Sequence, residues 1–174
     1  MIASARVLFS RRRLAASVLA IAAIVAFAIF GLADKSAARR PAPQLRATYL
    51  SGPRVTLASL LASARGRQTL VTFWASWCEP CRQEASALER FALSARGRGR
   101  IVGVDFSEEA APALAFVRRY RWTFANLRDA YGTVGNSYRV PVLPTTFVID
   151  STGHIAGELR GPQTVASLAR ALGT

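Results

Sequence analysis

The sequence predicts an α/β fold in which a central mixed β-sheet is flanked by helices. Short β-rich apolar runs alternate along the chain with segments whose apolar residues recur at helical spacing, as Ala85, Leu88 and Phe91 do. Such alternation favours parallel strands joined by right-handed crossover helices. Near the carboxyl end two apolar runs flank the tight turn 150–153, which adds an antiparallel hairpin before the final helix.

Turn signals and apolar runs locate the individual elements. Glycine and proline mark several boundaries, such as the turn at 51–53 and the end of the long helix at Gly97 and Gly99. In chain order we expect an N-terminal β-hairpin of 45–50 and 54–57, a short helix at 58–64, a strand at 69–74, a helix at 82–95, a strand at 101–106, a helix at 108–120, a strand at 124–128, a weak helix at 131–138, strands at 145–149 and 154–159, and a helix at 163–172.

The chain is long enough for one domain and a short extension, with 174 residues and a net charge of +13. A basic chain raises the question of nucleic-acid binding. However, Lys35 is the only lysine, and the arginines are scattered without the interleaved aromatic residues of a nucleic-acid groove. We therefore expect a generally basic, solvated surface and no nucleic-acid partner.

The N-terminal segment has the pattern of a membrane signal-anchor. Three arginines at 11–13 precede an uncharged apolar run at 14–32, which is nearly long enough to cross a bilayer core of about 30 Å. Arginines on the N-terminal side favour an orientation with the rest of the chain outside the cytoplasm. We expect an uncleaved anchor at 1–33, a linker at 34–43 and a folded domain at 44–174; a cleaved signal peptide remains the alternative.

Two cysteines, Cys78 and Cys81, are the only ones in the chain, and two residues separate them. A structural disulfide over so short a loop removes little chain entropy, and a zinc site needs four ligands whereas the chain has one histidine. A redox pair at a helix N-terminus fits better, with Cys78 as the exposed nucleophile and Cys81 as the resolving thiol. Pro80 suits the first helical turn, and the carboxylate of Glu79 disfavours a thiolate.

Two segments resemble those of a known family. The run Phe-Trp-Ala-Ser-Trp-Cys-Glu-Pro-Cys-Arg-Gln-Glu at 73–84 resembles the active-site segment of thioredoxin-like proteins, and Val-Leu-Pro-Thr-Thr-Phe-Val-Ile-Asp at 142–150 resembles their cis-proline strand. The similarity covers 43–174 and is closer to membrane-anchored, exported members of the TlpA/ResA/CcmG (DsbE) type than to cytosolic thioredoxin. It implies a thioredoxin-like fold in which 103–138 is the central insertion.

The resemblance also implies roles for residues around the cysteine pair. Pro144 would be a cis-proline that faces the disulfide, and Glu84 would be a carboxylate that tunes the thiol pKa values or moves a proton. An ordinary trans-proline and a solvated glutamate are the respective alternatives. Substrate contact is expected at the residues that border the nucleophile and the proline: Trp77, Glu79, Pro80 and Leu143.

Two positions depart from the family pattern. Thioredoxin has a buried aspartate six residues before its first cysteine, where this chain has Thr72. Proton transfer to Cys81 would then need another group, with Glu84 or, less favourably, Glu158 as candidates. The CcmG type usually has a glutamate directly after the cis-proline, where this chain has Thr145, which argues against membership of that particular group.

The sequence thus predicts a thiol–disulfide oxidoreductase that reduces protein disulfides in the periplasm while anchored in the bacterial inner membrane. By resemblance, cytochrome c apoproteins are the expected substrate class and a transmembrane protein of the DsbD/CcdA type the expected electron donor. We expect a monomer with no cofactor beyond the Cys78–Cys81 pair and no bound metal. A dithiol oxidase, or a copper-centre assembly protein that reduces a partner's cysteines or holds Cu(I) through two thiolates, are the alternatives.

Overall fold

A six-stranded mixed sheet forms the centre of the domain in the computed structural model, which describes residues 39–173. Within those residues the strands follow the spatial order β1-β4-β3-β2-β5-β6. The strands are β1 (Thr48–Ser51), β2 (Thr69–Trp74), β3 (Ile101–Phe106), β4 (Ala125–Asp129), β5 (Thr145–Ile149) and β6 (Ile155–Arg160). The helices are α1 (Leu57–Ser63), α2 (Glu79–Leu93), α3 (Ala110–Arg119), α4 (Thr133–Tyr138) and α5 (Val165–Ala171).

The pairing of the strands brings the end of β2 and the start of β5 to the same edge of the sheet. Strands β2, β3 and β4 are parallel, whereas β5 runs antiparallel to β2, β6 to β5, and β1 to β4. Phe73, near the end of β2, pairs with Thr145 at the start of β5. The segments that follow β2 and precede β5 therefore leave the sheet at the same edge, and the predicted mixed α/β sheet is confirmed.

Each face of the sheet has its own buried core, because successive side chains of a strand point to opposite sides. On one face α2, α3 and α5 pack around Trp74, in a cluster that includes both cysteines; we call this the cysteine face. On the other, the opposite face, α1 and α4 pack around Phe73. The segment 103–138, predicted to be the central insertion, includes most of β3 together with α3, β4 and α4, so part of it belongs to the central sheet.

The predicted N-terminal hairpin is wrong. Only β1 forms, and it pairs with β4 instead of with residues 54–57. Thr56 begins α1 through a capping box, in which its hydroxyl accepts from the Ser59 N–H and the Ser59 side chain accepts from the Thr56 N–H. The turn before it is also set by tertiary packing, since a Cβ atom on Gly52 would lie 2.3 Å from the carbonyl oxygen of Phe124.

The folded unit begins earlier than the predicted boundary at residue 44. The Ile155 N–H donates to the Arg40 carbonyl at 2.9 Å, and the Ala42 N–H donates to the Gly153 carbonyl at 2.8 Å. The last residues of the predicted linker 34–43 are therefore part of the domain, which starts at Arg40. The predicted signal-anchor at 1–33 lies outside the described residues, and no helix within 39–173 is long and apolar enough to cross a bilayer.

Candidate active site

The cysteine pair lies where β2 passes into α2. Cys78 is the N-cap of α2, and its Sγ accepts a hydrogen bond from the Cys81 N–H at 3.2 Å. The two cysteines form a disulfide with a Cα–Cα distance of 5.2 Å. Pro80 occupies the first turn, where a missing N–H leaves no helical hydrogen bond unmade. The unpaired N–H groups and the dipole of this 15-residue helix stabilise negative charge on Cys78.

Cys78 is less exposed than predicted. Only 4% of its surface is accessible in the disulfide form, and 1% of that of Cys81. Both sulfurs belong to the core cluster of the cysteine face, against which Leu143 also packs. The prediction of an exposed nucleophile is therefore wrong for the disulfide form. The exposed neighbour is Trp77, with 58% of its surface accessible.

Pro144 lies at the same edge of the sheet as the disulfide. It directly precedes β5, and the Leu143–Pro144 peptide bond is cis, as the resemblance implied. Leu143 is partly buried against both cores, whereas Val142 is exposed. Trp77 and Val142 thus present apolar surface on the two segments that border the disulfide, which suits contact with a peptide.

Glu84 is buried within the domain one turn after Cys81, and the alternative of a solvated glutamate is wrong. Its Oε2 accepts from the Gln163 N–H at 2.8 Å, while Oε1 has no hydrogen-bond partner. Burial raises the pKa of Glu84 to about 8, although the hydrogen bond from Gln163 lowers it. A carboxyl group with a pKa near neutrality is able to give a proton to a thiolate or, when ionised, to take one from a thiol.

Thr72, which stands where thioredoxin has its aspartate, and Glu158, the other predicted proton-transfer candidate, both lie in the sheet. Thr72 lies in the sheet and accepts a hydrogen bond from the Thr146 hydroxyl at 2.9 Å. Glu158 pairs across the sheet with Phe147, a residue of the opposite-face core. Directly paired side chains share a face, so Glu158 lies across the sheet from the cysteines. Its candidacy for proton transfer to Cys81 is therefore wrong.

The charge of Glu79 is offset by a neighbouring cation. The Arg82 guanidinium donates to Glu79 Oε2 at 2.7 Å, on an exposed part of the helix surface. Arg82 also donates to the Ser76 carbonyl, from Nε at 3.4 Å and from a terminal nitrogen at 3.2 Å. The electrostatic effect of Glu79 on the thiols is consequently smaller than the sequence alone predicts.

Sequence reasoning missed two carboxylates that border the cysteine turn. Glu108 accepts from the N–H and the hydroxyl of Ser76, two residues before Cys78. Asp105, near the end of β3, is fully buried, and its pKa is raised to about 9 by burial first and then by the hydrogen-bonded carboxyl of Glu108. An acidic residue at the end of an apolar strand beside the cysteine strand was the available signal, because functional groups collect at that edge of such sheets.

Comparison with known proteins identifies the family. The AhpC/TSA family profile matches residues 38–157, more than half of the chain. The chain belongs to the AhpC/TSA family. Among the curated relatives, it is 35% identical to the thioredoxin-like protein YneN of Bacillus subtilis over 66% of each chain. It is 29% identical to the thiol-disulfide oxidoreductase ResA of Bacillus cereus, over 80% of this chain and 79% of that one.

Relatives and solved structures agree on fold and chemistry. The thiol:disulfide interchange protein DsbE of Allochromatium vinosum is 34% identical over 71% of this chain and 66% of its own. The crystal structure of a putative DsbE from Chlorobium tepidum has a TM-score of 0.66 at 25% identity, covering 76% of this chain and 93% of the other. The domain has a thioredoxin-like fold, and the protein is a thiol–disulfide oxidoreductase of the ResA/DsbE type.

Proposed function

We propose that this oxidoreductase works as a reductase of protein disulfides outside the cytoplasmic membrane, held there by the N-terminal segment 1–33. The observation that carries the direction of the reaction is the position of Cys81 one helical turn from Glu84, a buried acid whose pKa is raised to about 8. A buried site of low polarity disfavours thiolates, which disfavours the reduced form and makes a disulfide harder to reduce. A pair of this kind gives electrons to substrates instead of taking them.

The proposed reaction transfers two electrons in two exchange steps. The Cys78 thiolate attacks one sulfur of the substrate disulfide, forming a mixed disulfide and releasing the first substrate thiolate. Cys81 then loses its proton and attacks the Cys78 sulfur, which forms the Cys78–Cys81 disulfide and releases the second substrate thiolate. In its ionised form Glu84 supports the second step by accepting the proton of Cys81, and Trp77 and Leu143 border the substrate.

The donor and the substrate follow from location and resemblance. Outside the cytoplasm soluble thioredoxin is absent, so electrons must arrive through the membrane, for which a DsbD/CcdA-type protein is the proposed source. Apocytochrome c, whose haem-binding cysteines must be reduced, is the proposed substrate class. One equilibrium measurement, the reduction potential, tests whether the protein reduces disulfides or instead forms them as a dithiol oxidase does.

The first test is the reduction potential of the Cys78–Cys81 pair in the full chain, measured against thiol–disulfide buffers. We expect a value below about −200 mV, toward the thioredoxin end of the scale, whereas a value near about −120 mV would identify an oxidant. In a coupled assay with a disulfide-containing protein, Cys78→Ser should abolish reduction and Cys81→Ser should accumulate the mixed disulfide. Retained turnover by Cys78→Ser would overturn the assignment of the nucleophile.

A further inference from the structure

The turn before Cys78 is held by a carboxylate from a distant part of the chain. Glu108 lies in the connection between β3 and α3, and its Oε1 accepts from the Ser76 N–H at 2.6 Å. Its Oε2 accepts from the Ser76 hydroxyl. Since Arg82 donates to the Ser76 carbonyl, every polar group of Ser76 has a partner. The two donors of Ser76 depend on Glu108 alone, although 32 residues separate them in the chain.

A second carboxyl group lies behind Glu108. Asp105 is fully buried, and neither of its oxygens receives a hydrogen bond from a donor group of the protein. Its side chain is nevertheless in hydrogen-bonding contact with Glu108. Two carboxylates form such a bond only when one of them carries a proton. Both oxygens of Glu108 already accept from Ser76, so the proton belongs to Asp105, which donates to Glu108.

The charged groups around Asp105 support this protonation state. Its pKa is raised to about 9, by burial first and then by the neighbouring Glu108 and Asp129, against the lowering effect of Arg128. Arg128, which pairs with Asp105 across the sheet, is engaged elsewhere, because its Nε donates to the Glu108 carbonyl and a terminal nitrogen to Glu109. The Asp129 carboxylate accepts from Thr133 and Gly135. Trp74, the neighbour of Asp105 on β2, is uncharged.

We propose that Asp105 and Glu108 share one proton and act together as a positioning pair, which holds Ser76 and thereby orients Cys78 for disulfide exchange. When the shared proton is lost, two negative charges face each other in a buried site and Glu108 moves away from Ser76. Both residues act through the turn and touch no substrate. The inference rests on the proposed role of Cys78 as the nucleophile, but the proton sharing itself is measurable without any turnover.

Carboxyl titration tests the proton sharing directly. With ¹³C-carboxyl labels on aspartate and glutamate, the full chain gives a sparse NMR spectrum, because it has only 10 acidic residues. In the disulfide form, where no thiol titrates, we expect the Asp105 signal to stay in its protonated position through pH 7 and to shift only at alkaline pH. In Asp105→Asn, whose amide still donates to Glu108, this alkaline transition should vanish. An Asp105 signal that titrates in the acid range would overturn the inference.

Kinetics test the positioning role. Glu108→Gln keeps one acceptor for Ser76 but loses the charge and the second acceptor, so kcat/KM for a protein disulfide should fall about tenfold or more at pH 7. Glu109→Gln is the matched control, since its side chain is 88% exposed and pairs only with Arg128 among the described contacts; its kcat/KM should change less than about twofold. Equal effects of the two variants on kcat/KM would show that Glu108 has no positioning role.

The pH profile separates positioning from a merely structural role. Asp105→Asn should match the wild type between pH 6 and 8 and keep its rate above pH 9, where the wild type loses rate. Parallel profiles would contradict the inference. If Cys78→Ser instead retained turnover, the proposed reaction would fail while the titration result for the disulfide form would stand on its own.

Discussion

The two faces of the sheet are built from different kinds of residues. The opposite face buries apolar and aromatic side chains, among which Phe73, Tyr138 and Phe147 form a cluster with ring centroids 5.1 to 5.8 Å apart. The cysteine face also has an aromatic cluster around Trp74, but it contains the disulfide and two buried acids of raised pKa, Glu84 and Asp105.

The difference shows that stability and chemistry are divided between the faces. Glu84 Oε1 is buried without a hydrogen-bond partner, and Asp105 is fully buried next to the carboxyl group of Glu108. Burying such groups costs free energy because they lose their hydration. A purely apolar packing would be more stable at these positions. The cysteine face therefore retains buried acids of raised pKa that reduce stability, whereas the buried acid of the opposite face, Asp129, accepts hydrogen bonds from Thr133 and Gly135.

The largest expected effect comes from the opposite face. Phe147→Ala removes a fully buried ring that contacts Phe73 and Tyr138, and we expect the free energy of unfolding in urea to fall by about 3–5 kcal/mol. The reduction potential of the Cys78–Cys81 pair should not change. Trp77→Ala, which truncates an exposed aromatic residue, is the control, with an expected stability change within about 0.5 kcal/mol. A substantial change in potential in Phe147→Ala would contradict the division between the faces.

The buried acids of the cysteine face should make the free energy of unfolding depend on pH. In the unfolded chain a glutamate loses its proton near pH 4.3, whereas folded Glu84 keeps its proton up to about pH 8. Raising the pH between these values removes the proton only from the unfolded state, so the free energy of unfolding falls, by up to about 1.4 kcal/mol per pH unit. Glu84→Gln should lose this contribution and gain stability relative to the wild type as the pH rises from 5 to 8.

Urea unfolding of the disulfide form at a series of pH values measures this effect. Glu79→Gln, a change of an exposed glutamate in the same helix, should leave the slope of stability against pH unaltered. Part of the slope should persist in Glu84→Gln, because Asp105 is also protonated in the folded state. If the stability difference between Glu84→Gln and the wild type were the same at pH 5 and pH 8, Glu84 would be ionised in the folded protein.

The same division explains what was predictable from the sequence. Strand β2 and helix α2 were recognisable because an apolar run and helical spacing are local patterns, and the cysteine pair was recognisable from its spacing alone. The N-terminal hairpin failed because Ser59 and Thr56 cap a helix and Gly52 packs against the Phe124 carbonyl. Those competing contacts are invisible in a pattern of apolar and turn residues.

The polar part of the site was harder to predict because it depends on distant partners. Glu84 is buried since it bonds to Gln163, 79 residues away, and Glu108 reaches Ser76 across 32 residues. Spacing along one helix placed Glu84 near Cys81 but did not show its burial. From the sequence alone, acidic residues that find their partners only in the tertiary structure cannot be distinguished from ordinary solvated side chains.

The smallest expected effect is that of Glu79, an exposed residue next to Cys78, on the reduction potential. The Glu79 carboxylate disfavours a Cys78 thiolate, so Glu79→Gln should stabilise the reduced form and make the reduction potential less negative. Because Arg82 pairs with Glu79 in an exposed position, the change should amount to only about 10 mV, equivalent to about 0.5 kcal/mol. Arg82→Gln should shift the potential in the opposite direction, and high salt should reduce both shifts. A shift toward a more negative potential in Glu79→Gln would mean that the turn, and not the charge, controls the thiols.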